Sequence, residues 1–347
     1  MKLKKVSCIL LSCALIMPTL KVDAKQVVTG GEPYVNVVTT GNTITRTIDL
    51  TDLNSTTNSY NNNVSTPVYD ISTSESILKQ VGFTDVELNA MGDEEIIASL
   101  EDAKNITSTE VYIKIDELGN RTEVTKEECM KAVENQSKTK DSYNSNTMVH
   151  VFSSNDAVNE ETDGYMRIRT VSTYISNGNY RFSGLFTWLT LPQNRWVDVL
   201  SVAAPSCAWG SNTTDLTSNL SYSIYNSKTK TTTDSNVTGS VKVKSTGIYS
   251  KYDLPNEEML VDNPILGTTY FKSVTSMVGY IRGIGSVSTY QTAQKFNVFT
   301  QYVHLYKDYG LSPEASFSWD GTGFSVSPSI TNETRIYNSF NQTSYTP

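Results

Sequence analysis

Residues 163–192 constrain the fold more than any other stretch. Asp163-Gly164 leads into an apolar-rich run, Tyr165 to Ile175, and Asn177-Gly178 follows as a two-residue turn signal. Asn and Gly both tolerate the positive φ of a type I′ turn, so the runs on either side should pair antiparallel. The return run alternates. Tyr180, Phe182, Phe186 and Trp188 share one face, and Arg181, Ser183 and Thr187 share the other. Leu185 and Leu189 interrupt the polarity of that second face, which predicts cover on both sides, and Pro192 ends the run.

The same character continues to the C-terminus. Strands are expected at Trp196–Val202, Leu220–Asn226, Val237–Tyr249, Thr268–Arg282, Lys295–Lys307, Ala315–Trp319 and Phe324–Pro328. No stretch after Thr147 holds a helical period over three turns. Many strands joined by polar, Gly-containing turns predict an antiparallel β-sandwich-like domain over 147–347.

The N-terminal half reads differently. Ile77, Leu78 and Val81 have helical spacing, and Gly82 supplies a stop. Thr84-Asp85-Val86-Glu87 is a capping box opening a second short helix through Leu88 and Met91. Asp93 is placed to cap a third, carrying Ile96, Ile97 and Leu100. Val111–Ile115, a turn at Glu117–Asn120 and Arg121–Val124 form a predicted hairpin. A second capping box, Thr125 with Glu128, opens a helix through Cys129, Met130 and Val133. Residues 72–137 thus read as a small acidic α+β module, with 138–146 as a polar linker. Residues 25–71 are rich in Thr, Asn, Ser and Val and poor in large apolar groups, so they read as a flexible, disordered polar arm. Within it, Val35–Val38 and Ile44–Leu50 are candidates for an added edge strand. The expected fold class is mainly β.

Lys2, Lys4 and Lys5 precede the apolar run Val6–Leu20, and Val22-Asp23-Ala24 offers small residues for cleavage. This is the pattern of a signal peptide, residues 1–24, and it predicts a secreted, extracellular or cell-wall-associated protein. Lys2, Lys4, Lys5, Lys21 and Asp23 leave with it. The remaining chain has 24 bases against 35 acids, a net charge of −11. That balance argues against nucleic acid and disfavours an anionic membrane as partners. The acidity is uneven: 15 acids and 8 bases lie in 71–140, but 15 and 14 in 147–347. The step supports separately folded regions.

Cys129 and Cys207 survive cleavage. They are either bridged or, more plainly, two buried thiols. Cys207-Ala208-Trp209 with His304 as a base is the nearest approach to a nucleophile pair. A reactive thiolate usually sits at a helix N-terminus, however, and Gly210-Ser211-Asn212 reads as a loop. Tyr302, His304 and Tyr306 share one strand face and form a candidate sugar-binding strip, the alternative being a half-exposed sheet face of good β residues. Asp156, Glu160, Glu161 and Asp163 lie close together in one loop and form a candidate calcium site, the alternative being a solvated acidic loop. Val237–Lys244 alternates apolar and polar beside a Thr-rich run, as a membrane-inserting hairpin does and as an ordinary half-buried strand does too. No G-x-S-x-G, P-loop, dinucleotide fingerprint or H-E-x-x-H occurs in the chain.

The leader, Gly82–Ile96 (GFTDVELNAMGDEEI), the VYIKIDELGNRTEVTKEE hairpin, Asp163–Ile168 (DGYMRI) and Phe186–Val199 (FTWLTLPQNRWVDV) resemble uncharacterised secreted proteins of Gram-positive bacteria. The resemblance implies export and a Gram-positive source, and brings no catalytic residue with it. The expected function is non-catalytic: a binding or structural β domain at the cell envelope, with cell-wall polysaccharide or an extracellular protein as partner. A β-pore-forming or membrane-active protein and a wall-directed hydrolase are the alternatives.

Overall fold

A computed structural model describes residues 34–51, 69–115, 121–134, 164–191, 197–210, 212, 215–255, 258–263, 268–287, 295–305, 315–319, 324–328 and 334–344. For 258–263, 268–269, 295 and everything from 305 onward, only the backbone is described. In chain order, β1 (Val35–Thr40) and β2 (Thr43–Asp49) precede three helices, α1 (Ile71–Gln80), α2 (Asp85–Met91) and α3 (Asp93–Leu100). Then come β3 (Asn105–Ile115), β4 (Arg121–Val124), helix α4 (126–134), and the hairpin β5 (Gly164–Ser176) and β6 (Asn179–Trp188). β7 (Val197–Ala203), β8 (Cys207–Trp209), β9 (Thr217–Asn226), β10 (Thr231–Thr238), β11 (Lys242–Lys244) and β12 (Gly247–Asp253) follow. The chain continues through β13 (Glu258–Asn263), β14 (Thr268–Val287), β15 (Lys295–Leu305), β16 (Ala315–Trp319), β17 (Phe324–Pro328) and β18 (Thr334–Ser344).

The fold is mainly β and antiparallel. One sheet runs β1-β2-β3-β5-β6-β14-β9-β10, with β4 beside β3 and with β8 and β13 beside β14. The second runs β11-β12-β7-β15-β18, and β16 pairs with β17 apart from both. Asn177 and Gly178 have φ of 52° and 76°, as the predicted β5–β6 turn requires. The two sheets pack face to face. Phe182, Phe186 and Trp188 of β6, with Ile168 and Met277, meet Leu200, Val202, Ile248, Tyr252, Phe296 and Tyr302 of the second sheet. Aromatic rings interlock across this interface: Phe186 and Tyr302 lie 4.2 Å apart, and Tyr180 meets Phe296 edge-on at 5.1 Å.

The outer face of the large sheet is covered as well. Ile77, Leu78, Val81, Leu88, Met91, Ile96 and Leu100 from the helices pack on Ile106, Val171, Leu185 and Tyr280. Leu185 is therefore apolar because its face has its own roof, as its break in the alternation implied. Each helix has a local start signal. Asp70 accepts from the Thr73 amide at 2.7 Å, and Glu87 reaches back to the Thr84 amide at 3.0 Å. Gly92, and not Asp93, is the N-cap of α3, with φ of 79°.

Three expectations are corrected. The arm predicted over 25–71 is ordered at 34–51, where the two candidate edge strands form: β1 and β2 extend the sheet beside β3, and Ile48 and Leu50 are buried. Its local composition is weak, but β3 supplies the partner that ordering needs. The module predicted over 72–137 is not a separate body, because β3 pairs with β5 along its whole length. A strand buried on both faces cannot end a domain, so helices and sandwich share one sheet. Val237–Tyr249 is not one strand: β10 belongs to the large sheet and β11 and β12 to the other. The chain crosses between sheets at Gly239, where a Cβ would collide with the Ser218 and Ser250 hydroxyls.

Gly279 lies directly opposite Phe186, and a side chain there would overlap the Phe186 ring. Gly279→Val should therefore lower stability by about 1–3 kcal/mol. A denaturant-unfolding midpoint equal to that of the parent chain would contradict this packing.

Candidate functional site

Two of the residues nominated for a sugar-binding strip meet a partner that the sequence did not reveal. Asp198 of β7 lies beside His304 of β15, because the β7–β15 register sets Val199 against Val303 and Leu200 against Tyr302. The Asp198 Oδ2 atom lies 2.9 Å from His304 Nδ1 and also accepts the Tyr302 hydroxyl. From the opposite sheet, Trp188 Nε1 donates to Tyr302 Oη at 2.9 Å. A polar chain thus crosses the sandwich from Trp188 through Tyr302 to Asp198 and His304. His304 thus turns Nδ1 toward the Asp198 carboxylate.

Tyr302 is 0 % exposed and His304 3 % exposed. They face the interior, and as they stand they offer no flat aromatic surface to a sugar. This corrects both expectations for the strip, the exposed binding face and the half-exposed sheet face. Tyr306 lies outside the described residues, as do Asp156, Glu160, Glu161 and Asp163 of the proposed calcium loop. Among the described residues, no group of three or more His, Cys, Asp or Glu is placed to hold a metal.

Cys207 does not join this cluster. It lies opposite Val287 on β14, whereas Trp188, which touches the His304 ring, lies opposite Met277. Ten residues of strand separate those points, about 33 Å at ~3.3 Å per residue. Both Cys129 and Cys207 are buried and free, and burial pushes each thiol up to about 12. Neither has the thiolate character that nucleophilic attack needs.

The densest charge cluster lies on the other face of the large sheet. Glu87 of α2 accepts from Thr84 of its own cap and from Thr187 of β6, and pairs with Arg167 and Arg169 of β5. Arg169 is fully buried. It also donates to the carbonyls of Val81 and Gly82, to Ser108, and to Glu110 at 2.7 Å. Arg46 of β2 closes the cluster on Glu110, also at 2.7 Å. A second cluster joins Glu95 of α3 to Arg282 and to the Tyr280 hydroxyl. Arg181 donates to the Ser99 and Glu101 carbonyls, where the C-terminal end of α3 is electronegative. Burial alone would raise Glu87 and Glu110. The facing arginines outweigh it and hold both carboxyls below the usual range.

Sequence reasoning found Glu87 as a cap but missed its second role. The available signal was the alternation Met166-Arg167-Ile168-Arg169 in the strand that pairs with the one predicted to be covered on both sides. Arginines on a covered face require buried counter-charges. No family model and no curated protein matches this chain. Among solved structures, it shows a likeness to a chain described as "AvmM Catalyzes Macrocyclization in Alchivemycin A Biosynthesis". The match has 14 % identity over 49 % of this chain and 82 % of that one, with a TM-score of 0.19. A likeness that slight carries neither fold nor chemistry across.

Three tests follow from this arrangement. Glu87→Gln should destabilise the chain by roughly 3–5 kcal/mol at neutral pH, because it leaves buried guanidinium groups without their counter-charge. Because Glu87 and Glu110 sit below the ~4.3 of an unfolded glutamate, their contribution is complete above that value and is lost as pH falls through the folded values. Unfolding midpoints from neutral to acid pH should therefore drop on the acid side, and drop less steeply in Glu87→Gln. Native Cys129 and Cys207 should resist alkylation at mildly alkaline pH and react on unfolding. Rapid labelling of the native chain would contradict the burial of both thiols.

Proposed function

We propose that this is a secreted or envelope-associated protein whose β architecture serves binding or structural support and not catalysis. The supporting observation is where the ionisable groups go. Asp198, His304, Glu87, Glu95, Glu110, Arg167, Arg169 and Arg282 are turned inward and engaged with one another. What the described surface offers at β9 and β10 is Thr, Ser, Asn and part-exposed Tyr222 and Tyr225. Hydroxyls, amides and aromatic edges suit a neutral polar partner, and cell-wall polysaccharide or an extracellular protein is the partner this reading favours. Among the described residues no helix is long and apolar enough to cross a membrane.

Incubation with purified Gram-positive cell wall tests the reading. The chain should sediment with the wall, release no soluble sugar, and leave dye inside liposomes. Solubilised wall fragments would favour a hydrolase, and dye release a pore-former. Either result would displace the binding reading.

A further inference from the structure

Among the described residues, the large sheet ends on β10, whose one partner there is β9. Seven of its eight residues are exposed, and Val237 is 49 % exposed. Such an edge presents a row of unpaired backbone groups, and proteins usually guard it with lysine, proline or a bulge. The adjoining edge of the other sheet is guarded in that way: β11 has three residues, flanked by Lys242 and Lys244. β10 reads TTTDSNVT, with no lysine or proline, and keeps unbroken register with β9. Its one charge, Asp234, is held by the Ser223 hydroxyl at 2.6 Å.

We propose that β10 is a self-association edge, pairing antiparallel with β10 of a second copy about a twofold axis through Ser235. The backbone fixes which groups are available. The Gly239 amide donates to Ser218 on β9, and direction alternates along a strand. The amides of Thr232, Asp234, Asn236 and Thr238 therefore face outward. A twofold axis perpendicular to the sheet brings residues of equal parity together. Centred on Ser235, it sets Asp234 against Asn236 of the second copy and Thr232 against Thr238. All four have outward backbone groups, so each pair exchanges two hydrogen bonds.

The side chains agree with this register. A carboxylate meets an amide twice over, and Val237 is covered by Thr233 of the second copy. Centring on Asp234 would oppose two carboxylates, which disfavours that alternative. The other edge of the sheet, β1, reads VNVVTT. No centre on it matches a carboxylate with an amide, and it is two residues shorter. β10 is therefore the edge with a specified partner. This inference does not depend on which ligand the protein takes.

Mass measurement of the purified chain by light scattering, across a concentration series, tests the pairing. The parent chain should reach the mass of two chains. Asn236→Pro removes an outward amide and leaves the β9 ladder intact, and Thr233→Lys puts a charge in the seam. Each should halve the mass with the circular dichroism spectrum unchanged. Val37→Lys, on β1, should leave the dimer in place. A parent chain that stays single at every concentration would overturn the proposal, as would a dimer that both β10 variants leave intact. Open-ended growth in mass would also overturn it, because that marks β1 joining β10 of the next copy head to tail.

Discussion

Glu87 does two jobs that sequence separates by about 80 residues. It closes the cap of α2 by accepting from the Thr84 amide, and it neutralises Arg167 and Arg169 on the sheet beneath. The helices could bury Leu88 and Met91 on any apolar surface, and hydrophobic burial alone would let them slide. A carboxylate that must meet two guanidinium groups, within reach of Thr187, allows one placement. Arg169 strengthens the constraint by donating to the carbonyls of Val81 and Gly82, at the turn between α1 and α2. Charge in the interior here selects one arrangement, a role distinct from adding net stability.

The two faces of the large sheet solve different problems. Toward the second sheet, the contact is largely apolar and aromatic, crossed by the polar chain from Trp188 to Asp198 and by Tyr252, whose hydroxyl meets Ser218 and the Tyr280 carbonyl. Toward the helices, β5 and β6 alternate arginines and hydroxyls with apolar residues, and α2 brings a carboxylate and α3 a carbonyl to meet them. β14 joins both systems. Met277 and Ile281 face the sandwich, while Tyr280 and Arg282 face the helices. Its position between β6 and β9 makes it the strand through which the helical roof and the sandwich act on each other.

Much of this architecture could be read from local pattern. Asn177-Gly178, the alternation from Tyr180 to Trp188, the capping box at Thr84 and the termini of β16 and β17 all follow from turn chemistry and period. Each depends on residues a few positions apart. The site was less legible. Tyr302 and His304 were recognised as sharing a face, but which face that was depended on Trp188 and Asp198, each more than 100 residues away. In the arm at 25–71 the two candidate edge strands were legible, but their ordering was not, because it depends on β3 as their partner. The supposed break near 138–146 came from a real step in charge. Several of those acids, Glu87, Glu95 and Glu110, are buried against arginines of β5 and β14, so a step in charge along the chain marks no boundary in the fold.

By itself, the sequence determined the mainly β character, the antiparallel hairpins and the starts of the helices, because those depend on backbone preference and short-range period. Tertiary structure alone decided that the helices and strands share one sheet, that Tyr302 and His304 turn inward, and that Glu87 is a counter-ion as well as a cap. The physical reason is common to all three. A side chain's role on a two-sided sheet is set by what covers each face, and that cover comes from parts of the chain no local pattern can name.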